Sequence, residues 1–191
     1  MTMADATPLN VLVICGSLRK GSFNRMLTRA LPALKPPDMN LIESPPIGAL
    51  PLYNADLQAA GVPPEVVALV DAVRAADGLL IVSPEYNWSI PGTIKNAIDW
   101  LSRVKDQPFA NKPVALQSAA PGLLGGARMQ YHMRQSLTSV EAVILIRPEV
   151  FVNLAAKKFD EKTGELIDQP TKDIVKQQLE AFVKFIRKVK Q

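Results

Sequence analysis

A chain of 191 residues, 48% of them hydrophobic, can bury one sizeable core and falls within the size of a single large α/β domain. The formal net charge is +4, yet the cations are scattered among acids apart from a tail cluster between Lys184 and Lys190, and no basic stripe with interleaved aromatics marks a nucleic-acid binder. The single cysteine, Cys15, excludes an intramolecular disulfide, and no Cys/His cluster has metal-ligand spacing, so neither a metal site nor an oxidising compartment is expected.

Met1 to Asn10 lack the basic and apolar regions of a signal peptide, and no apolar run is long enough to span a bilayer. The expectation is a cytoplasmic protein without membrane insertion. The apolar run Val11 to Cys15 then reads as a strand buried on both faces. A loop follows, and after it Phe23, Leu27, Ala30, Leu31 and Leu34 recur with helical period. Asn40 to Glu43 reads as a weaker second strand. The helix carrying Val66, Leu69, Val70 and Val73 leads to a strand at Leu79 to Val82, and a helix from Ile94 to Arg103 leads to a strand at Val114 to Leu116. Met129, Met133 and Leu137 share a helix face, Val143 to Ile146 forms the last strand, and Thr171 to Val189 forms the last helix.

Strand and helix thus alternate five times, which predicts an α/β flavodoxin-like three-layer sandwich with a five-stranded parallel sheet in the order 2-1-3-4-5. The 16 prolines fall at loop and helix-start positions such as Pro36, Pro63 and Pro64, so residues 1–191 read as one domain without a linker. In such a sheet, ligands bind at the carboxyl ends of the strands where strand order reverses, which selects the loops after strands 1, 3 and 4.

The first of these loops is Gly16-Ser17-Leu18-Arg19-Lys20-Gly21-Ser22-Phe23-Asn24. Glycines permit close backbone approach, Ser17, Ser22 and Asn24 offer neutral donors, and Arg19 can pair with phosphate oxygens at a helix N-terminus. The loop lacks both the Gly-Lys-Ser/Thr ending of a P-loop and the closely spaced glycines of a dinucleotide fingerprint. A plain turn with Ser22 as helix cap is the simpler reading of the same residues. The second loop, Ser83-Pro84-Glu85-Tyr86-Asn87-Trp88-Ser89-Ile90-Pro91-Gly92-Thr93, combines aromatic rings, an amide and exposed backbone, as a flat heteroaromatic ring requires. Tyr86 and Trp88 read equally well as surface or interface residues.

These two loops, together with Leu52-Tyr53-Asn54-Ala55-Asp56, the segment from Gly125 to His132 and that from Thr163 to Asp168, resemble the NADPH-dependent FMN reductase family, in particular its bacterial chromate and quinone reductase branch. The resemblance implies an FMN phosphate site at Ser17, Leu18, Arg19, Lys20, Gly21, Ser22, Phe23 and Asn24, with Ser17, Arg19, Ser22 and Asn24 as main contacts. It implies that Pro84, Glu85, Tyr86, Asn87 and Trp88 line the flavin ring, and that Ser118 and Ala120 approach it, Ala120 through its backbone. It further implies a homodimer or homotetramer in which Arg128, Tyr131 and Glu149 join a polar network between subunits. Trp88 departs from the tyrosine common in the branch.

The activity so implied passes electrons from NADPH or NADH through FMN to a small acceptor, quinones being favoured and chromate, flavins and azo compounds possible. The cofactor carries the chemistry, so no catalytic acid, base or nucleophile is nominated. Lone His132 and Cys15 read as structural residues, and Arg103 either complements a helix dipole or attracts an anionic substrate. Two other classes compete: a flavodoxin-type electron carrier, which is usually acidic where this chain is basic, and a flavin-binding stress protein without turnover.

Overall fold

The computed structural model describes residues 7–191, and the reading of Met1 to Ala6 as lacking a signal peptide lies outside them. The chain runs β1 (Leu9–Cys15), α1 (Phe23–Leu34), β2 (Met39–Glu43), α2 (Ala55–Ala60), α3 (Pro64–Ala75), β3 (Gly78–Val82), α4 (Gly92–Leu101), β4 (Pro113–Ala119), α5 (Ala127–Thr138), β5 (Val143–Ile144), β6 (Val150–Val152) and α6 (Gln169–Val189). All strand pairings are parallel, in the order β2-β1-β3-β4-β5 with β6 also on β4. This is the flavodoxin-like order predicted from the β-α alternation.

Because successive side chains of a strand point to opposite faces, β1 feeds two cores. Leu12 and Ile14 pack with Val66, Leu69, Val73, Ile94, Ile98, Trp100, Met129 and Met133 under α3, α4 and α5. Val11 and Val13 pack with Leu27, Leu31, Val175, Leu179, Phe182 and Ile186 under α1 and α6. Burial on both faces explains why the strands read as unbroken apolar runs.

The fifth strand position is refined by the structure. Val143 and Ile144 pair with Pro113 and Val114, the chain leaves the sheet, and Val150 to Val152 return to pair with Gln117 to Ala119. Pro148 has no N–H to donate and cannot continue a ladder. A buried side chain fills the gap: Gln178 Nε2 of α6 donates to Leu116 O at 3.1 Å and to Pro148 O at 2.7 Å, and Gln117 Nε2 donates to Gln178 Oε1 at 3.0 Å. The six-residue helix α2, capped by Asn54, is the other element that periodicity did not reveal.

Helix α6 begins at a cap. Asp168 accepts from Thr171 N at 3.0 Å and from Thr171 Oγ1 at 2.6 Å. The Thr171 donors hold the Asp168 carboxyl below the usual carboxylate range, with Lys158 contributing from 3.8 Å. Asp168→Ala should therefore cost about 1 kcal/mol in urea unfolding at neutral pH. A carboxyl depressed in the folded state stabilises above its unfolded value, about pH 4, and that contribution is lost as pH falls through the folded one. The difference between wild type and variant should accordingly shrink in urea series run at successively lower pH, and a constant difference would contradict the role of this cap.

Candidate functional site

The loop after β1 crosses the ends of its neighbours closely. Gly16 N donates to Val82 O at 2.8 Å, and Thr93 Oγ1 donates to Gly16 O at 3.2 Å. A Cβ at Gly16 would lie 2.5 Å from Ser83 Oγ and 2.9 Å from Ile94 Cγ1, so a larger residue would push the loop off β3 and α4. Ser22 caps α1, its Oγ accepting from Asn24 N at 3.2 Å and Arg25 N at 3.3 Å. Capping uses the oxygen's lone pairs and leaves the hydroxyl proton free to be donated. The simpler reading of Ser22 as a cap is thus correct, and it is compatible with a ligand.

Among the described residues, the backbone N–H groups of Ser17, Leu18, Arg19, Lys20, Gly21 and Phe23 meet no acceptor. Ser17 is 2% exposed and its hydroxyl has no hydrogen-bond partner there either. Arg19 forms no ion pair among these residues, and its Nη1 would stand 3.9 Å from a Cβ on Gly21, so the guanidinium lies back over the loop. The first turn of α1 carries no acid. Leu18 lies over Gly48 and Lys20 is exposed. A nest of backbone donors, two hydroxyls, one guanidinium and a helix N-terminus, with no carboxylate among them, fits a phosphate monoester and hence the FMN phosphate.

Asn24 also has a structural role. It is 2% exposed, and its amide spans the fold: Nδ2 donates to Ala119 O at 2.9 Å and Oδ1 accepts from Ala119 N at 2.9 Å. These two bonds fix the loop on the end of β4 and leave one N–H of the Asn24 amide for a further acceptor.

The loop after β3 is a two-residue hairpin. Tyr86 N donates to Ser89 O at 3.1 Å and Ser89 N to Tyr86 O at 2.9 Å. Asn87 and Trp88 between them have φ of 47° and 64°, the left-handed pair that such a tight turn demands. Asparagine tolerates this conformation, but a bulky aromatic there costs about 1–3 kcal/mol. The offset comes from α5. Glu85 Oε2 accepts from Met129 N at 3.1 Å, capping that helix, while Glu85 Oε1 lies 3.4 Å from Arg128 Nη1. The Arg128 guanidinium sits 4.2 Å from the Trp88 ring centroid, and Ser89 Oγ bonds His132 Nδ1 at 3.0 Å. Glu85 thus meets α5 through its carboxylate, while Pro84 is buried and Tyr86, Asn87 and Trp88 are exposed.

After β4, Ser118 and Ala120 are also committed to the protein. Buried Ser118 Oγ donates to Gly125 O at 2.6 Å and accepts from Gln130 Nε2 at 2.8 Å. Ala120 N donates to Val152 O at 3.0 Å, and its carbonyl accepts from Ala155 N at 3.1 Å. Both residues shape the loop through these bonds, and the second lone pair of the Ala120 carbonyl stays available to a ligand donor. A Cβ at Gly126, where φ is 90°, would fall 2.7 Å from Ser118 Cβ and 4.0 Å from Glu85 Cβ, so the loops after β3 and β4 meet at this glycine.

The trio Arg128, Tyr131 and Glu149 does not form one network within the chain. Arg128 goes to Glu85 and Trp88, Tyr131 packs against Phe151 with centroids 6.2 Å apart, and Glu149 pairs with Arg134 at 3.4 Å. Arg103 lies 5.8 Å over the Tyr53 ring and borders a 470 Å³ cleft whose other charges are Glu141 and the Lys95–Asp99 pair. Several supports escaped the sequence reading: Ser83 and Thr93 against Gly16, Gln130 under Ser118, and Asn96, whose amide holds Tyr53 N at 2.8 Å and Pro51 O at 2.9 Å. Thr93 and Asn96 lie inside or just beyond the second loop, where they could have been noticed; no local pattern marks Gln130.

Residues 9–157 match the family model described as NADPH-dependent FMN reductase. Over 183 residues the chain is 50% identical to a quinone reductase of Escherichia coli strain K12, covering 95% of this chain and 97% of that protein. It is 43% identical over 182 residues to an NAD(P)H-dependent FMN reductase of Pseudomonas aeruginosa, covering 95% and 97%. Among solved structures, the flavoenzyme NAD(P)H:(acceptor) oxidoreductase FerB of Paracoccus denitrificans superposes with a TM-score of 0.85 at 36% identity, covering 94% of this chain and 98% of that one.

Removing the Asn24 amide would leave the Ala119 N–H and carbonyl buried without partners. Asn24→Ala should lower the unfolding free energy by about 2–6 kcal/mol, at about one to three per orphaned group. Urea unfolding of the apoprotein measures it, and a loss within about 0.5 kcal/mol, the size of an ordinary surface change, would show that the clamp carries little.

Proposed function

The chain belongs to the NADPH-dependent FMN reductase family, and on that premise we propose that it is an FMN-dependent NAD(P)H oxidoreductase that reduces quinones and other small acceptors. The observation that carries this reading is the run of unpaired backbone donors from Ser17 to Gly21, flanked by the free Ser17 hydroxyl and the Ser22 cap. Such a run is stable only with an anion or water on it.

In this reading Ser17, Arg19 and Ser22 hold the phosphate through side chains, and Leu18, Lys20, Gly21 and Phe23 do so through backbone N–H groups. Asn24 keeps the cradle registered on β4. Pro84 and the Glu85 to Trp88 turn border the ring, offering the Asn87 amide and the backbone N–H groups of Asn87 and Trp88, which have no acceptor among the described residues. Ser118 and Ala120 shape the opposite wall. When bound there, FMN would supply the redox chemistry that links NAD(P)H to the acceptor. The protein's own work is to orient donor and acceptor and to control access, with no side chain acting as general acid, base or nucleophile.

The further elements of the proposal are NADPH or NADH as donor, quinones as the principal acceptors with chromate as a side acceptor, and one domain over the whole chain. A homodimer or homotetramer in the cytoplasm completes it, with Arg128, Tyr131 and Glu149 near the interface. In keeping with this setting, no helix of the described residues is long and apolar enough to cross a membrane. A flavodoxin-type carrier is disfavoured by the net charge of +4.

Anaerobic mixing of the holoprotein with NADPH should bleach the flavin absorbance, and addition of a quinone should restore it. Absence of bleaching would refute the oxidoreductase reading. Arg19→Gln should raise the FMN dissociation constant about tenfold, the value of a charge-assisted hydrogen bond, in equilibrium titrations of the apoprotein.

A further inference from the structure

Gln130, in the first turn of α5, is a wholly buried amide whose two protons are both assigned. Nε2 donates to Ser118 Oγ at 2.8 Å and to Val150 O at 2.8 Å. An amide nitrogen can only donate, so the Ser118 oxygen must accept from it, and the single hydroxyl proton is directed onto Gly125 O at 2.6 Å. Gln130 thus sets the direction of a relay that runs from α5 through the end of β4 to the far end of the loop that follows. The opposite amide orientation would place Oε1 against the Val150 carbonyl, acceptor on acceptor, so the arrangement has one sense.

What the relay holds is a double strip of backbone. Ala120 N donates to Val152 O at 3.0 Å, Ala155 N to Ala120 O at 3.1 Å and Leu154 N to Gly122 O at 3.1 Å, so the loop after β4 and the exit of β6 form one unit. They lie so close that a Cβ on Gly125, whose φ is 59°, would stand 2.8 Å from Phe151 C and 2.9 Å from Asn153 N. Gln130 reaches both halves, the loop through Ser118 and the strand through Val150. The same turn of α5 receives Glu85 of the loop after β3, which accepts from Met129 N at 3.1 Å. One helical turn therefore fixes the spacing between the two loops that border the ring in the proposed site. We propose that Gln130 is a positioning residue for the flavin ring: through Ser118 and Val150 it sets the wall formed by residues 120–126 and leaves phosphate recognition to the loop after β1. It touches no ligand itself and acts only through the backbone it holds. The inference rests on the reading of these loops as a flavin site.

Equilibrium titrations of the apoprotein with riboflavin and with FMN test it, at a temperature where urea unfolding shows each variant to be folded. Gln130→Met, close in shape and without polar hydrogens, should weaken both flavins about tenfold, the net value of about one hydrogen bond, and leave the ratio of their dissociation constants as in the wild type. Ser118→Ala interrupts the relay but keeps the bond from Gln130 to Val150, and it should weaken both flavins in the same direction. The double variant should bind no more weakly than Gln130→Met alone, because groups acting in series are not additive. Unchanged riboflavin affinity in either single variant, additive losses in the double variant, or a loss confined to FMN would overturn the role of Gln130. Should Gln130→Met fail to fold, Ser118→Ala decides alone, and wild-type riboflavin affinity in it would overturn the relay. Wild-type apoprotein that binds neither flavin would remove the flavin reading itself; wild-type binding matched by the variants removes only the relay.

Discussion

Among the described residues, five consecutive backbone N–H groups, Ser17 to Gly21, end in no intrachain hydrogen bond, and satisfying them is the constraint around which the carboxyl edge of the sheet is arranged. Leu18 to Gly21 are exposed and Ser17 is buried, and a run of open donors at the N-terminus of a helix offers an anion a binding surface. Everything adjacent keeps that run in place. Gly16 lets the loop cross β3, Thr93 holds the Gly16 carbonyl, and Ser22 closes the helix while sparing a proton.

A second layer of polar residues performs the holding. Asn24, Ser118 and Glu85, read in sequence as ligand contacts, each also join one loop to another element: Asn24 to Ala119, Ser118 to Gly125 and Gln130, Glu85 to the N-terminus of α5. This division follows from the chemistry of a flavin site. Phosphate recognition requires donors that are unpaired before the ligand arrives, and those donors keep their positions only if other polar groups, bonded within the protein, fix the backbone that carries them.

The sheet order and the loops at its carboxyl edge were legible because they depend on local signals. Fully apolar strands such as Leu79 to Val82, helical periods such as that of Val66 to Val73, and a Gly/Ser-rich turn directly after the first strand all lie within a few residues. What escaped depends on pairs far apart in the chain. Asn24 and Ala119 are 95 residues apart, and no local pattern tells an asparagine that donates to a phosphate from one that clamps a strand. The split of the fifth strand was hidden for a similar reason, since Gln178 on the last helix supplies the hydrogen bonds that the strand gives up around Pro148. The left-handed Trp88 was invisible because aromatic residues rarely adopt that conformation, and only the contacts of α5 make it tolerable.

The central claim is that the loop after β1 recognises a phosphate monoester on a flavin. Comparing FMN with riboflavin in equilibrium titrations of the apoprotein isolates that group, because the two ligands share every other atom. Loss of several charge-assisted hydrogen bonds should weaken riboflavin binding by about a hundredfold or more. Equal affinity for the two would mean that the open donors of Ser17 to Gly21 do not face the phosphate, and the account built on them would be wrong.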